Sequence, residues 1–134
     1  MHSEVFSYPF LIKEHHLDTF GHVNNAAYLS ILEEARWDLI TARGFGMKTI
    51  KETGLGPTIL EIKISFIKEL KLRDEIDIQT QMLSYDGKVG TLVQKMIRKD
   101  EVCCSAEFLI GLFSLKERRL IEPTAEWRRA LGME

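Results

Sequence analysis

Hydrophobic positions follow two different rhythms along the chain. From Val5 to Ile12 they alternate, so that Phe6, Tyr8, Phe10 and Ile12 share one side of an extended segment, and the charges of Lys13 and Glu14 end it. Pro9 lacks a ladder donor and places this predicted strand near an edge or an irregularity. From Asn25 to about Arg43 the spacing changes to three and four: Tyr28, Ile31 or Leu32, Ala35 and Leu39 form a stripe, with Glu33, Glu34 and Asp38 mostly off it. That spacing predicts a helix, capped at its start by Asn24 or Asn25 and followed by Gly44. The stretch containing Gly44, Gly46, Gly54, Gly56 and Pro57 reads as a loop with one short helical turn around Lys48 to Glu52.

Alternation then returns and is clearest where Ile76, Ile78, Thr80 and Met82 oppose Asp77, Gln79 and Gln81. Four further strands are expected, Thr58 to Lys68, Glu75 to Ser84, Lys88 to Arg98 and Val102 to Leu115. Asp86-Gly87 signals a tight hairpin, and the polar turn Lys99-Asp100-Glu101 makes the next pair antiparallel as well. Pro123 opens a last short helix ending near Leu131. One long helix after the first strand, then a meander of strands, predicts an α+β domain in which an antiparallel sheet wraps around the helix, a single domain over residues 1–134.

Composition narrows the class. With 45% hydrophobic residues in 134, the chain can bury a core without staples. A formal charge of -2 with mixed signs gives no general basic surface, so no nucleic-acid partner is expected. Cys103 and Cys104 are adjacent, which disfavours an ordinary disulfide and lacks zinc-site spacing; they are expected to be reduced residues of the core or sheet. Met1-His2-Ser3-Glu4 does not begin a basic and then apolar leader, and no run is long enough to span a bilayer, so a cytoplasmic location away from membranes is expected. The glycines do not form a phosphate loop, because Gly44 and Gly46 follow a helix rather than a strand and no GK[ST] spacing is present.

The segment between first strand and long helix carries the candidate chemistry. It runs Asp18-Thr19-Phe20-Gly21-His22-Val23-Asn24-Asn25, and places a carboxylate shortly before a helix N-terminus. A helix start holds unpaired backbone N–H groups at the positive end of its dipole, which can bind an oxygen on which negative charge develops. Asp18 thus reads as an acid or base beside an oxyanion donor, the backbone N–H near Asn25, with Gly21 allowing close approach to the backbone. The same residues also suit plain turn and cap hydrogen bonds.

At these positions the chain resembles the hotdog-fold thioesterase superfamily, in the branch that includes 4-hydroxybenzoyl-CoA thioesterase and bacterial acyl-CoA thioesterases. The pattern D-x-x-G-H-V-N-N-x-x-Y stands here as Asp18, Gly21, His22, Val23, Asn24, Asn25 and Tyr28, followed by Glu33, Ala35 and Arg36. The resemblance implies a hotdog fold and hydrolysis of an acyl thioester carried by CoA or by acyl carrier protein. It implies Asp18 as nucleophile or general base and the Asn25 amide as the group polarising the carbonyl, with Gly21, His22, Asn24, Tyr28 and Lys68 near the substrate. It further implies a homodimer or homotetramer with the site between subunits. Family members often carry an aromatic-x-basic-Pro pattern after the long loop; here the segment is Phe66-Ile67-Lys68-Glu69, with Glu69 in the proline's place.

Other readings are weighed beside this one. Glu33 is the alternative catalytic acid and base, since other hotdog thioesterases use a helix glutamate; otherwise it is an exposed charge or a partner of Arg36. His15, His16, Asp18 and His22 suggest a metal site, but no second cluster completes one, and neither metal nor cofactor is expected. Lys71, Arg73, Arg98 and Lys99 are candidates for CoA phosphates or simply solvated charge. Phe6, Tyr8 and Phe10 are expected to pack, with some of them able to line an acyl tunnel. Two alternative functions are a hydratase of the same fold and a non-catalytic thioester-binding scaffold. Asp18 and His22 are one residue short of the hydratase D-x-x-x-x-H spacing, and a scaffold has no need for a carboxylate beside an oxyanion site.

Overall fold

The computed structural model describes residues 3–133. Met1 and His2, part of the N-terminal stretch read above, lie outside the described residues, as does Glu134. Strand β1 (Val5–Leu11) leads through a 3-10 turn (Glu14–His16) and a loop into α1 (Asn25–Ala42) and α2 (Met47–Thr53). Strands β2 (Leu55–Phe66), β3 (Glu75–Asp86), β4 (Val89–Arg98), β5 (Glu101–Ser114) and β6 (Arg119–Ile121) follow, then α3 (Ala125–Ala130). The sheet runs β1-β3-β4-β5-β2, every pairing antiparallel, and β6 takes up Leu112–Ser114 of β5 beyond the last β4 partner, Ile110. This is the α+β hotdog arrangement expected from the sequence.

Local chemistry accounts for the path. Asn24 caps α1, its side chain accepting the Ala26 N–H at 2.9 Å, a contact of about 1 kcal/mol in helix stability. The buried face of α1 is Tyr28, Ile31, Leu32, Ala35 and Ile40, one residue displaced from the expected stripe at its last member, where Leu39 is half-buried. Opposite it, Ile78, Met82, Leu92, Met96, Phe108 and Leu112 supply the sheet's inner face. Lys99 and Asp100 form a two-residue connection between β4 and β5 with φ of 49° and 65°, the left-handed conformation that matches strand twist in a tight hairpin.

Two features of the sheet differ from the sequence reading. Strand β2 begins at Leu55, not Thr58, because Pro57 sits on the last strand of the sheet, where a missing N–H costs no ladder bond on the open side. His15 and His16 belong to a 3-10 turn, and their rings stand 4.0 Å apart. Strand β6 was not anticipated; its three residues are too short to show a period. Cys103 and Cys104 are buried free thiols, and burial pushes Cys104 up to about 11. No helix among the described residues is long and apolar enough to cross a membrane.

Candidate active site

The loop before α1 is closed at its neck. Leu17 and Val23 form an antiparallel bridge, the Asn24 N–H donates to His16 O at 3.0 Å, and the Asp18 N–H donates to His22 O at 2.8 Å. Within that neck the Asp18 carboxylate is held by one oxygen: Oδ1 accepts the N–H groups of Phe20 at 2.9 Å and His22 at 3.2 Å. This is the turn-forming habit of aspartate, and it leaves Oδ2 without a hydrogen-bond partner among the described residues. Gly21 makes the turn possible, with φ of +82° and its N–H on Asp18 O at 3.1 Å.

Immediately after the neck, Asn24 satisfies most of the first helical turn. Its side chain takes the Ala26 N–H and its carbonyl takes those of Ala27 at 2.9 Å and Tyr28 at 3.3 Å. The Asn25 N–H is the first-turn amide left without a protein acceptor among the described residues. A half-buried carboxylate with one fixed and one open oxygen therefore sits on the loop that leads directly into an open amide at the positive end of an 18-residue helix.

Of the remaining sequence candidates, His22 is exposed on the loop and its Nε2 pairs with Glu69 Oε1. Glu69, noted in the sequence only as a departure from a pattern, thus ties the β2–β3 connection to the candidate loop. That connection is itself anchored: Arg98 donates to Glu69 O at 2.9 Å and pairs with Asp74 at 2.7 Å, and Leu70 is fully buried. Burial would raise the Asp74 carboxyl, but the Lys71 backbone N–H and then the Arg98 guanidinium, both donating to it, together hold it below its ordinary range. Tyr28 is buried edge-on to Phe66, ring centroids 4.8 Å apart, and burial raises its phenol pKa. Lys68 is exposed beside Glu101 at 3.8 Å, away from Asp18's own contacts. Arg73 pairs with Glu14 at 3.0 Å. Glu33 lies about 12 Å along the helix axis from Asn25, at ~1.5 Å per residue. Among the described residues no group of three or more His, Cys, Asp or Glu is arranged to hold a metal ion.

A cavity of about 110 Å³ lies elsewhere, between α1, β2 and α3, and Asp18 is not among its lining residues. Beside it stands a buried polar network that sequence patterning did not reveal. Arg36 donates to Gln94 Oε1 at 2.9 Å and lies 4.5 Å over the Phe108 ring. Gln94, fully buried, donates to Leu32 O at 3.1 Å and Thr80 Oγ1 at 3.0 Å. Burial lowers the Arg36 pKa and the Glu33 charge opposes that change.

The family model described as thioesterase-like superfamily matches residues 13–131. The chain belongs to that superfamily. A thioesterase-like relative is the long-chain acyl-CoA thioesterase FadM of Escherichia coli strain K12, 32% identical over 123 residues, covering 90% of this chain and 92% of FadM. Among solved structures, the YbaW probable thioesterase from Escherichia coli has a TM-score of 0.83 at 28% identity, covering 98% of this chain and 97% of its own. A probable thioesterase from Bartonella henselae has a TM-score of 0.82 at 17% identity, covering 90% and 100%, and shares the fold. The match includes the candidate loop, α1 and the β2–β3 connection, so the thioesterase-like assignment and the geometry concern the same residues.

Proposed function

We propose that this chain hydrolyses acyl-CoA thioesters, with Asp18 as the reacting carboxylate and the Asn25 amide as the oxyanion donor. The observation that carries the reading is the pairing of a pinned carboxylate, with Oδ2 open, and an open helix-start amide on adjoining backbone. The name of the FadM relative adds the acyl-CoA class.

In the general-base form, Oδ2 removes a proton from water as the water oxygen bonds to the thioester carbonyl carbon. Charge moves onto the carbonyl oxygen, which accepts the Asn25 N–H; loss of such a donor typically costs about 3 kcal/mol of transition-state stabilisation. Collapse breaks the C–S bond, CoA leaves as thiolate, and the proton on Asp18 returns to thiolate or solvent. In the nucleophilic form Oδ2 itself bonds to the carbonyl carbon, thiolate leaves, and water cleaves the resulting anhydride. Both forms use the same geometry. Gly21, Asn24 and His22 shape the loop, Tyr28 packs beneath it, and Lys68 stands at the substrate's approach.

The site is completed by a second copy of this chain. Strand β2 ends the sheet with its outer edge unpaired and with Leu60, Ile62, Phe66 and Ile67 exposed, a combination that favours pairing. A homodimer is the smallest closed assembly that pairs this edge with itself. The chain acts in the cytoplasm as one domain.

Thiol release from short, long and aromatic acyl-CoAs, followed on protein of known oligomeric state, tests the activity. Release from at least one acyl-CoA class is expected, whereas none from any class removes the acyl-CoA reading. Single turnover in ¹⁸O water tests the nucleophilic form in one direction: label in Asp18 establishes it, with water attacking the Asp18 carbonyl carbon of the anhydride, whereas label in the released acid alone is the outcome of both the general-base form and attack at the acyl carbon.

A further inference from the structure

The turn ahead of the candidate loop is closed through one residue. The His16 N–H donates to Lys13 O at 3.0 Å, and the Lys13 N–H donates back to Nδ1 of the His16 ring at 2.9 Å. The His16 carbonyl accepts the Asn24 N–H at 3.0 Å, and Asn24 is the cap of α1. Leu17, the next residue, bridges Val23 across the neck of the loop. The ring of His16 therefore shapes the turn, while its main chain holds the start of the helix whose first amide is the proposed oxyanion donor. Nδ1 can accept only while it carries a lone pair, so this contact requires a neutral imidazole with its proton on Nε2. A protonated ring would set two N–H donors against each other.

We propose that His16 is a positioning residue for the reaction: its neutral ring keeps the turn closed, and with it the Asn24 cap and the Asn25 amide in place, whereas proton uptake opens the turn. This rests on the hydrolase reading at Asp18 and Asn25. The surroundings favour the neutral ring. His16 is half-buried, 5.1 Å from the Phe10 ring of β1 and 4.0 Å from the exposed His15 ring. From α1 it faces Glu34, whose carboxylate already accepts the Tyr8 hydroxyl at 2.6 Å. Lys13 lies on its own turn, and Glu14 there is paired with Arg73 at 3.0 Å. Burial, followed by the His15 charge, lowers the His16 pKa from its ordinary 6.5, with Glu34 opposing. The folded ring thus takes a proton less readily than the unfolded one, so its contribution is complete above about pH 6.5 and is lost as pH falls below that value.

Two amides separate this role from mere bulk. In His16→Asn the side-chain oxygen stands where Nδ1 stands and accepts without titrating; in His16→Gln the amide reaches the Nε2 position and leaves the Lys13 N–H unmet. Thiol release gives kcat and KM for wild type and both variants from about pH 5 to 8. At about pH 8 His16→Asn is expected to match wild-type kcat within about twofold, and His16→Gln to lose about tenfold in kcat with KM little changed. Below pH 6.5 wild-type kcat is expected to fall relative to His16→Asn, because only the imidazole titrates. A ratio of wild type to His16→Asn that stays constant across the range, or equal losses in both variants, or His16→Gln matching wild type, overturns the role. Ring nitrogen shifts of His16 in ¹⁵N-labelled wild type read the tautomer without substrate. An unprotonated Nδ1 beside a protonated Nε2 is expected at about pH 8, with the Lys13 amide shifting as the ring titrates; a proton on Nδ1 there overturns the proposal even if a variant fails to fold. Wild-type protein that releases thiol from no acyl-CoA sinks the hydrolase reading instead, and the ring measurement tells the two failures apart.

Discussion

The two flanks of α1 meet the sheet in opposite ways. Toward β1 the helix is stitched down: the Tyr8 hydroxyl donates to Glu34 Oε2 at 2.6 Å, and Arg43 packs 4.8 Å over the Phe6 ring. His16 accepts the Lys13 N–H on Nδ1 at 2.9 Å and stands 5.1 Å from Phe10. Both flanks leave openings: toward β1 the clefts, of about 330 and 300 Å³, are bordered by these polar contacts, whereas toward β2 the smaller cavity beside Trp127 is lined mainly by apolar side chains and the Arg36 guanidinium is drawn down to Gln94. One flank is tied by polar contacts near the surface; the other rests on an apolar cavity and a buried polar network.

The strongest way to break the asymmetry is to remove Gln94, which anchors the β2 flank. Gln94→Leu strands the Arg36 guanidinium and leaves Thr80 Oγ1 without its donor, and should cost about 3 kcal/mol of stability in chemical denaturation. An unchanged unfolding midpoint would mean that the network contributes nothing to holding the flank. Next in size is the tether between loop and β2–β3 connection. Substituting Glu69→Gln and His22→Gln singly should each lower kcat a few-fold, and the double variant little further, because both remove one contact between half-exposed groups worth about 0.5 kcal/mol. Additive effects would show that the two side chains act separately.

Glu33→Gln acts on the β2 side of the helix. With Asp18 as the reacting group, kcat of Glu33→Gln stays within about threefold of wild type in thiol release, whereas a fall of about a hundredfold would place the chemistry on Glu33. The smallest effect belongs to the stitched flank. Tyr8→Phe should cost about 1 kcal/mol or less, since the contact is near the surface, and should leave chain-length preference unchanged. The Glu34 hydrogen bond pushes Tyr8 up to about 12 from an ordinary 10.0. Its folded value being raised, the contribution is complete below about pH 10 and is lost as pH rises toward 12. Thermal unfolding across that interval should fall more steeply for wild type than for Tyr8→Phe.

How much of this was legible depends on the range of the contacts. Local signals located the elements well: the Asn24 cap, the stripe of α1, and the alternation of β3 and β4 all rest on neighbours within a few residues. The turn at Gly21 and the helix start at Asn25 were readable for the same reason. Glu69 was visible only as an odd residue, because its partner His22 lies 47 positions away across the loop. The Arg36–Gln94 bond spans 58 positions, and neither residue's periodicity announces it. The cavity beside Trp127 is lined from α1, β2, β4, β5 and the C-terminal segment, so no one segment carries its pattern. Leu55 to Pro57 read as loop because glycine and proline dominate there, although an edge strand tolerates both.

In the proposed reaction the carboxylate on the loop, not the glutamate on the helix, does the chemistry. It is tested most directly by thiol release from hexadecanoyl-CoA by wild-type protein and Asp18→Asn, matched for oligomeric state and unfolding midpoint. With Asp18 as the reacting group, kcat of Asp18→Asn falls by at least about a hundredfold, the range associated with losing a positioned acid–base group. Undiminished release by Asp18→Asn, together with its abolition in Glu33→Gln, would contradict it and move the reaction to α1.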